Sequence, residues 1–132
     1  MNTLAAPVEL AGLRVSLDRL VYHRLAPEKS KGRPHAFIYY LTLINHSDVA
    51  VTIRGRKWVV LHGDGTQWVV EGTGVVGQQP VIPAGGSFSY NSFHTIPTRH
   101  ATAEGSFLGV DALGRAVLMR IDPFRMQVPA AA

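Results

Sequence analysis

The chain has no cysteine, which excludes a disulfide framework, a thiol nucleophile and any thiolate metal site, and agrees with a reducing compartment. Long apolar runs are also missing: nothing approaches the roughly 18 residues of a spanning helix, so no membrane segment is expected. Met1 to Pro7 has neither a basic leader nor a sustained apolar stretch. No signal peptide is read there, and a cytoplasmic location is expected. Charge of one sign is scarce, since 13 basic against 9 acidic residues leave a net charge of +4. Basic clusters occur at Arg24 to Arg33 and at Arg54-Gly55-Arg56-Lys57. No aromatic-interleaved basic face or helical reader accompanies them, which argues against nucleic acid as the partner. The 6 histidines never fall at H-x-H, H-x-x-H or H-x-x-x-H spacing, and no carboxylate-rich loop joins them. Neither a metal nor another cofactor is expected.

Helical periodicity is close to absent, and alternation takes its place. Leu13, Val15 and Leu17 alternate with polar residues, which predicts a strand with those three on the buried face. Phe37 to Ile44 is rich in β-branched and aromatic residues, with Phe37, Tyr39, Leu41 and Leu43 on one side. Val49 to Ile53 and Lys57 to Leu61 read as one strand with a bulge at Gly55. Asp64-Gly65 marks a hairpin, returning through Gln67 to Glu71. Ser87 to Ser92, Thr102 to Val110 and Arg115 to Ile121 follow as strands. Pro123 marks an edge or bulge before a last extended piece, Phe124 to Val128. Glu28 to Pro34 and Thr95 to His100 read as loops. Eight or so short strands with regular turns predict an all-β fold, an antiparallel two-sheet β-sandwich. The expected organisation is a single domain over 1–132 with its core at about 13–128.

Gly72-Thr73-Gly74-Val75-Val76-Gly77 has the G-x-G-x-x-G spacing of a dinucleotide fingerprint. That motif needs a helix behind it to face the pyrophosphate. Here Pro80, Pro83, Gly85 and Gly86 follow, which a regular helix does not tolerate. The expectation is therefore one exposed, non-helical loop over Gly72 to Gly86.

The ordered elements Gly55-Arg56-Lys57-Trp58, Gly72-Thr73-Gly74-Val75-Val76-Gly77-Gln78-Gln79-Pro80 and Phe88-Ser89-Tyr90, closing with Gly105-Ser106-Phe107 and Phe124-Arg125, resemble the ApaG family from about Val15 to Val128. The resemblance implies a small sandwich of the fibronectin type III or immunoglobulin-like kind. It implies an association with cobalt and magnesium efflux in bacteria, and a protein-interaction role where the domain is fused to other eukaryotic modules. It brings no established enzymatic activity. Two positions depart from the family pattern: Thr73 stands where an acidic residue is common, and Phe93 where a glycine is common.

Gly72, Gly74, Gly77, Arg54 and Arg56 are the candidate partner- or anion-binding residues. For the glycines three readings stay open: conformational need, a backbone anion nest, and a partner-binding loop. For Gly74 the expectation is that Gly74→Ala loses a partner at near-native stability. Arg54 and Arg56, flanking Gly55, are expected on the same side of a strand, either solvated or gripping an acidic group. Trp58 and Trp68 are read as sheet-packing residues, one of them a candidate interface anchor. Ser92, His94 and Asp111 form the only hydrolase-like trio, without a G-x-S-x-G elbow. The chain thus reads as a non-catalytic binding module whose partner is another protein. The alternative is a small-anion binder for phosphate, pyrophosphate or nucleotide.

Overall fold

The structure is a computed structural model, described here over residues 6–131. Its strands are β1 (Leu13–Arg24), β2 (His35–Asn45), β3 (Val51–His62), β4 (Gln67–Thr73), β5 (Val81–Ile82), β6 (Ser87–Ile96), β7 (His100–Asp111) and β8 (Ala116–Gln127). A four-residue helix, α1 (Pro27–Ser30), sits in the β1–β2 connection, where a plain loop was expected. It has no buried residue and stops at Lys31, whose φ of 48° is left-handed. One sheet runs β1-β2-β6 and the other β4-β3-β7-β8, with β5 also on β3. All strand pairs are antiparallel. This is the two-sheet sandwich that the alternation predicts.

The core follows from the side-chain period of two. Phe37, Tyr39, Leu41 and Leu43 of β2 face Val51, Ile53, Trp58, Val60 and Phe107 from the other sheet, all buried. Three bulges then change which residues point inward, because one extra residue reverses the parity of everything after it. In β1 the register shifts between Leu17 and Arg19. Leu17 stays 39% exposed at this irregularity, and Leu20 and Tyr22 continue the inward set. The expected Leu13-Val15-Leu17 face is corrected there. In β8 the inward set passes from Val117, Met119 and Ile121 to Phe124 and Met126 across Asp122-Pro123. Pro123 lies on an edge strand and at a bulge, the two places where a missing N–H is tolerated.

The third bulge is in β3, between Ile53 and Gly55. Ile53 pairs with Gly109, but Gly55 pairs with Leu108 and Arg56 with Phe107. Arg54 is the extra residue and is exposed; Arg56 shares the inward face with buried Phe107. The expectation that both arginines share a face is overturned, because it ignored the parity change of the bulge it predicted.

The sandwich is asymmetric at its sides. The free edge of β8 is covered by the segment at Val8, which bonds to Ala116 and Leu118 at 3.0 Å each. On the other side β4 and β6 are the terminal strands of their sheets, and between them the sandwich opens.

Candidate functional site

Two features occupy this open side: the glycine segment and a cleft between the sheets. The glycine segment is not the single exposed loop expected. Gly72 and Thr73 belong to β4, Val75 and Ile82 are buried, and β5 rejoins β3 at Val51 and Thr52. No helix forms in it. Val75 and Gln78 exchange backbone hydrogen bonds of 2.7 and 3.0 Å, closing a two-residue hairpin on Val76 and Gly77. Their φ values are 48° and 77°, and positive φ at both centres is what the twist-matched hairpin turn demands. Glycine accepts that freely; a β-branched valine does not.

Each sequence-selected glycine has its own physical reason. A Cβ on Gly72 would meet the Arg56 guanidinium at 2.8 Å. Gly74 has φ 68°, and a Cβ there would fall on the carbonyl oxygen of Gln78. That overturns the expectation of near-native stability for Gly74→Ala. Gly77 needs its positive φ but has open space around it. The amides of Gly74, Val75 and Gln78 donate to the carbonyls of Arg54, Gln78 and Val75. Those three N–H groups are therefore committed within the chain, which weighs for the conformational reading over an anion nest. Arg56 Nη1–H donates to the carbonyls of Thr73 and Gly74 at 3.1 and 3.0 Å, clamping the hairpin's base from the inward face. Arg54 takes no part in this clamp; only its backbone carbonyl does.

Below Arg56 the inter-sheet cleft has a volume of about 190 Å³. Tyr39 of β2 and Trp58 and Val60 of β3 line it, with Ser92 and His94 of β6 on one wall and Trp68 and Val70 of β4 on the other. Register explains this convergence. Ser92 and His94 pair with Tyr39 and Phe37, and Val70 and Trp68 pair with Trp58 and Val60, so all share the inward face. His94 packs on Tyr39 with ring centroids 4.8 Å apart and planes tilted by 35°, and meets Trp58 edge-on at 4.5 Å. At the far end Arg33 bridges the open edges. Its Nε–H donates to the Thr95 carbonyl at 3.1 Å, and its guanidinium carbon lies 3.2 Å from the Trp68 ring centroid.

The polar groups of this cleft are poorly paired. Among the described residues, Trp58 Nε1, His94 Nε2 and, behind them, the Tyr90 hydroxyl are buried without a hydrogen bond of good geometry, although the Tyr39 hydroxyl lies close to both Trp58 Nε1 and the Tyr90 hydroxyl. An unmade bond on such a group costs about 1–3 kcal/mol, and native interiors hold few of them. Burial pushes the His94 imidazole down to about 4, so it is neutral at neutral pH. Burial raises the phenols of Tyr39 and Tyr90, so both keep their protons. Of the lining residues, Arg56 alone carries formal charge at neutral pH. From the sequence, Trp58 and Trp68 read as packing residues, one of them a candidate interface anchor, and His94 enters through the hydrolase-like trio and a spacing to His100 too loose for a metal site. Asp111 of that trio is committed to its own turn, accepting from Leu113 N, Arg115 N and Arg115 Nε at 3.0, 2.9 and 2.7 Å. Among the described residues, no three His, Asp or Glu side chains form a metal-sized group, and no helix is long and apolar enough to cross a membrane.

The ApaG domain family model matches residues 26–111, which span β2 to β7 and hence the hairpin and the cleft. Protein ApaG of Deinococcus radiodurans is 36% identical over 114 residues, covering 86% of this chain and 88% of that protein. Protein ApaG of Pseudomonas putida is 37% identical over 120 residues, covering 89% and 95%. An X-ray structure of a Northeast Structural Genomics Consortium target superposes with a TM-score of 0.83 at 26% identity, covering 95% of this chain and 92% of that one. The match thus takes in both sheets and the whole glycine segment, and the chain belongs to the ApaG family.

Proposed function

We propose that this member of the ApaG family is a non-catalytic binding module that engages another protein through the β4 edge and the glycine hairpin. The observation that carries the reading is Val76. It is a β-branched residue at φ 48°, 59% exposed, at the tip of a hairpin that projects beside an open sheet edge. A left-handed valine is strained by about 1–2 kcal/mol, and Asn-Gly would form the same turn without that strain. Strain held at an exposed apolar tip points to contact with a partner. Farther along β4, on opposite faces of the strand, Val69 and Trp68 are also exposed apolar side chains, and among the described residues β4 offers an unpaired strand edge to extend. A link to cobalt or magnesium homeostasis would on this reading run through the partner. The test is Val76→Asn. A protein captured by the wild type, then purified and titrated back, should bind at least about tenfold more weakly to the variant while the variant melts higher. Equal affinity for both would remove the hairpin from the interface.

A further inference from the structure

We infer that the inter-sheet cleft is a binding site for a small monocarboxylic acid with one ring or a short branched apolar body. The site lies inside the sandwich behind the protein-binding edge, shares Trp68 with it, and needs no partner. Its chemistry is set by three residues. Arg56 supplies a fixed cation: Nη1 is occupied by the Thr73 and Gly74 carbonyls, and among the described residues its Nε and Nη2 have no protein acceptor. Trp58 Nε1–H is a donor with no other chemistry open to it; it is covered, makes no hydrogen bond of good geometry among the described residues, and has the Tyr39 hydroxyl beside it. His94 Nε2 is likewise unpaired, and in its Nε2–H tautomer the neutral imidazole is a second donor. Two neutral donors and one guanidinium suit one planar, singly charged acceptor. The other guanidinium near the cleft, Arg33, stands at its far end with its face on Trp68 and its Nε–H on the Thr95 carbonyl, so at the Arg56 end one positive charge meets the ligand, which matches a monoanion better than a phosphate dianion. Of the remaining walls, Tyr39, Val60, Trp68, Val70 and Phe93 are aromatic or aliphatic and suit an apolar body, while Ser92 and Thr95 add hydroxyls at one side. No carboxylate lines the cleft to repel the ligand. The size agrees, since a cavity of about 150 Å³ accepts benzene and this one is about 190 Å³.

The experiment is a titration of the full chain with benzoate, with benzamide as the neutral isostere and inorganic phosphate as the anionic control. It is read by the indole N–H resonances and by calorimetry. Benzoate should move the Trp58 indole N–H resonance in a saturable way, and benzamide and phosphate should not. Trp58→Phe and Arg56→Lys should each weaken benzoate by roughly tenfold or more, because each loses a donor to a charged acceptor. His94→Phe, which keeps the ring stack, should weaken it less. Thermal melts confirm that each variant is folded, and Arg56→Lys guards against a Trp58→Phe variant that repacks. Val76→Asn should leave benzoate binding unchanged, which separates this site from the protein-binding edge. Benzamide binding as well as benzoate, no saturable shift at millimolar benzoate, or undiminished binding by folded Trp58→Phe and Arg56→Lys would each overturn the assignment.

Discussion

Gly74 and Gly77 lie three residues apart in one hairpin, yet a methyl group meets different surroundings at each. At Gly74 the φ of 68° and the Gln78 carbonyl oppose a side chain together, and that carbonyl is held by its hydrogen bond from Val75. At Gly77 only the backbone conformation opposes it. Gly77→Ala should therefore cost about 1–2 kcal/mol, the penalty of a left-handed alanine. Gly74→Ala should cost clearly more, since relieving the contact means opening the turn that Arg56 clamps. Urea denaturation of the two variants measures the difference, and equal losses would show that the clash relaxes freely. The glycine spacing was legible in sequence, but the distinct burden on each glycine was not. That burden depends on where the Gln78 carbonyl lies, and only the closed hairpin fixes it.

Strand existence was legible because alternation, β-branched content and turn residues agree along most of the chain. The bulges were legible at Gly55 and Pro123, where a permissive or donor-less residue marks them, but not at Asp18, where nothing local does. Their consequence for facing was missed even where the bulge was expected. Arg56 turned inward against Phe107, and the cleft was lost from view with it. The joining of β5 to β2 was also hidden, because it rests on one buried amide. Asn45 Nδ2 donates to the carbonyls of Val49, Ile82 and Pro83 at 2.9, 3.0 and 3.2 Å, and its Oδ1 accepts from Ser47 N and Oγ at 3.0 and 2.6 Å. Asn45→Ala should strand these carbonyls at about 1–3 kcal/mol for each that water cannot reach. Hydrogen exchange of that variant should then show the backbone amides at positions 45 and 85, which tie this corner together, opening before the centres of β3 and β7. Uniform destabilisation across all strands would mean that β5 does not unfold as a separate unit.

At the scale of the whole molecule, desolvated histidines make stability depend on pH well above the carboxylate range. Burial lowers the folded pKa of His94 from 6.5 to about 4, with Tyr39 and Trp58 packed on its ring and Arg56 as the cation of its cleft. The unfolded chain, with an ordinary imidazole, takes up its proton as pH falls through 6.5, while the folded chain does not until about 4. Across that window the unfolded state binds more protons, so stability must fall as pH falls. The full difference is on the order of 3 kcal/mol. His35 and His62 are also lowered, burial first and nearby arginines second, and contribute with the same sign. Asp18, Asp64 and Asp111 are held below 3.8, so their contributions are lost only at lower pH. The two limbs are therefore separable. His94→Phe keeps an aromatic ring against Trp58 and Tyr39 but has nothing to protonate. Denaturant midpoints followed from neutral pH down to about 4 should fall steeply for the wild type and much less for His94→Phe, and both should share the acid limb below. Parallel curves for the two proteins would show that the His94 imidazole is solvated well enough to be protonated in the folded state.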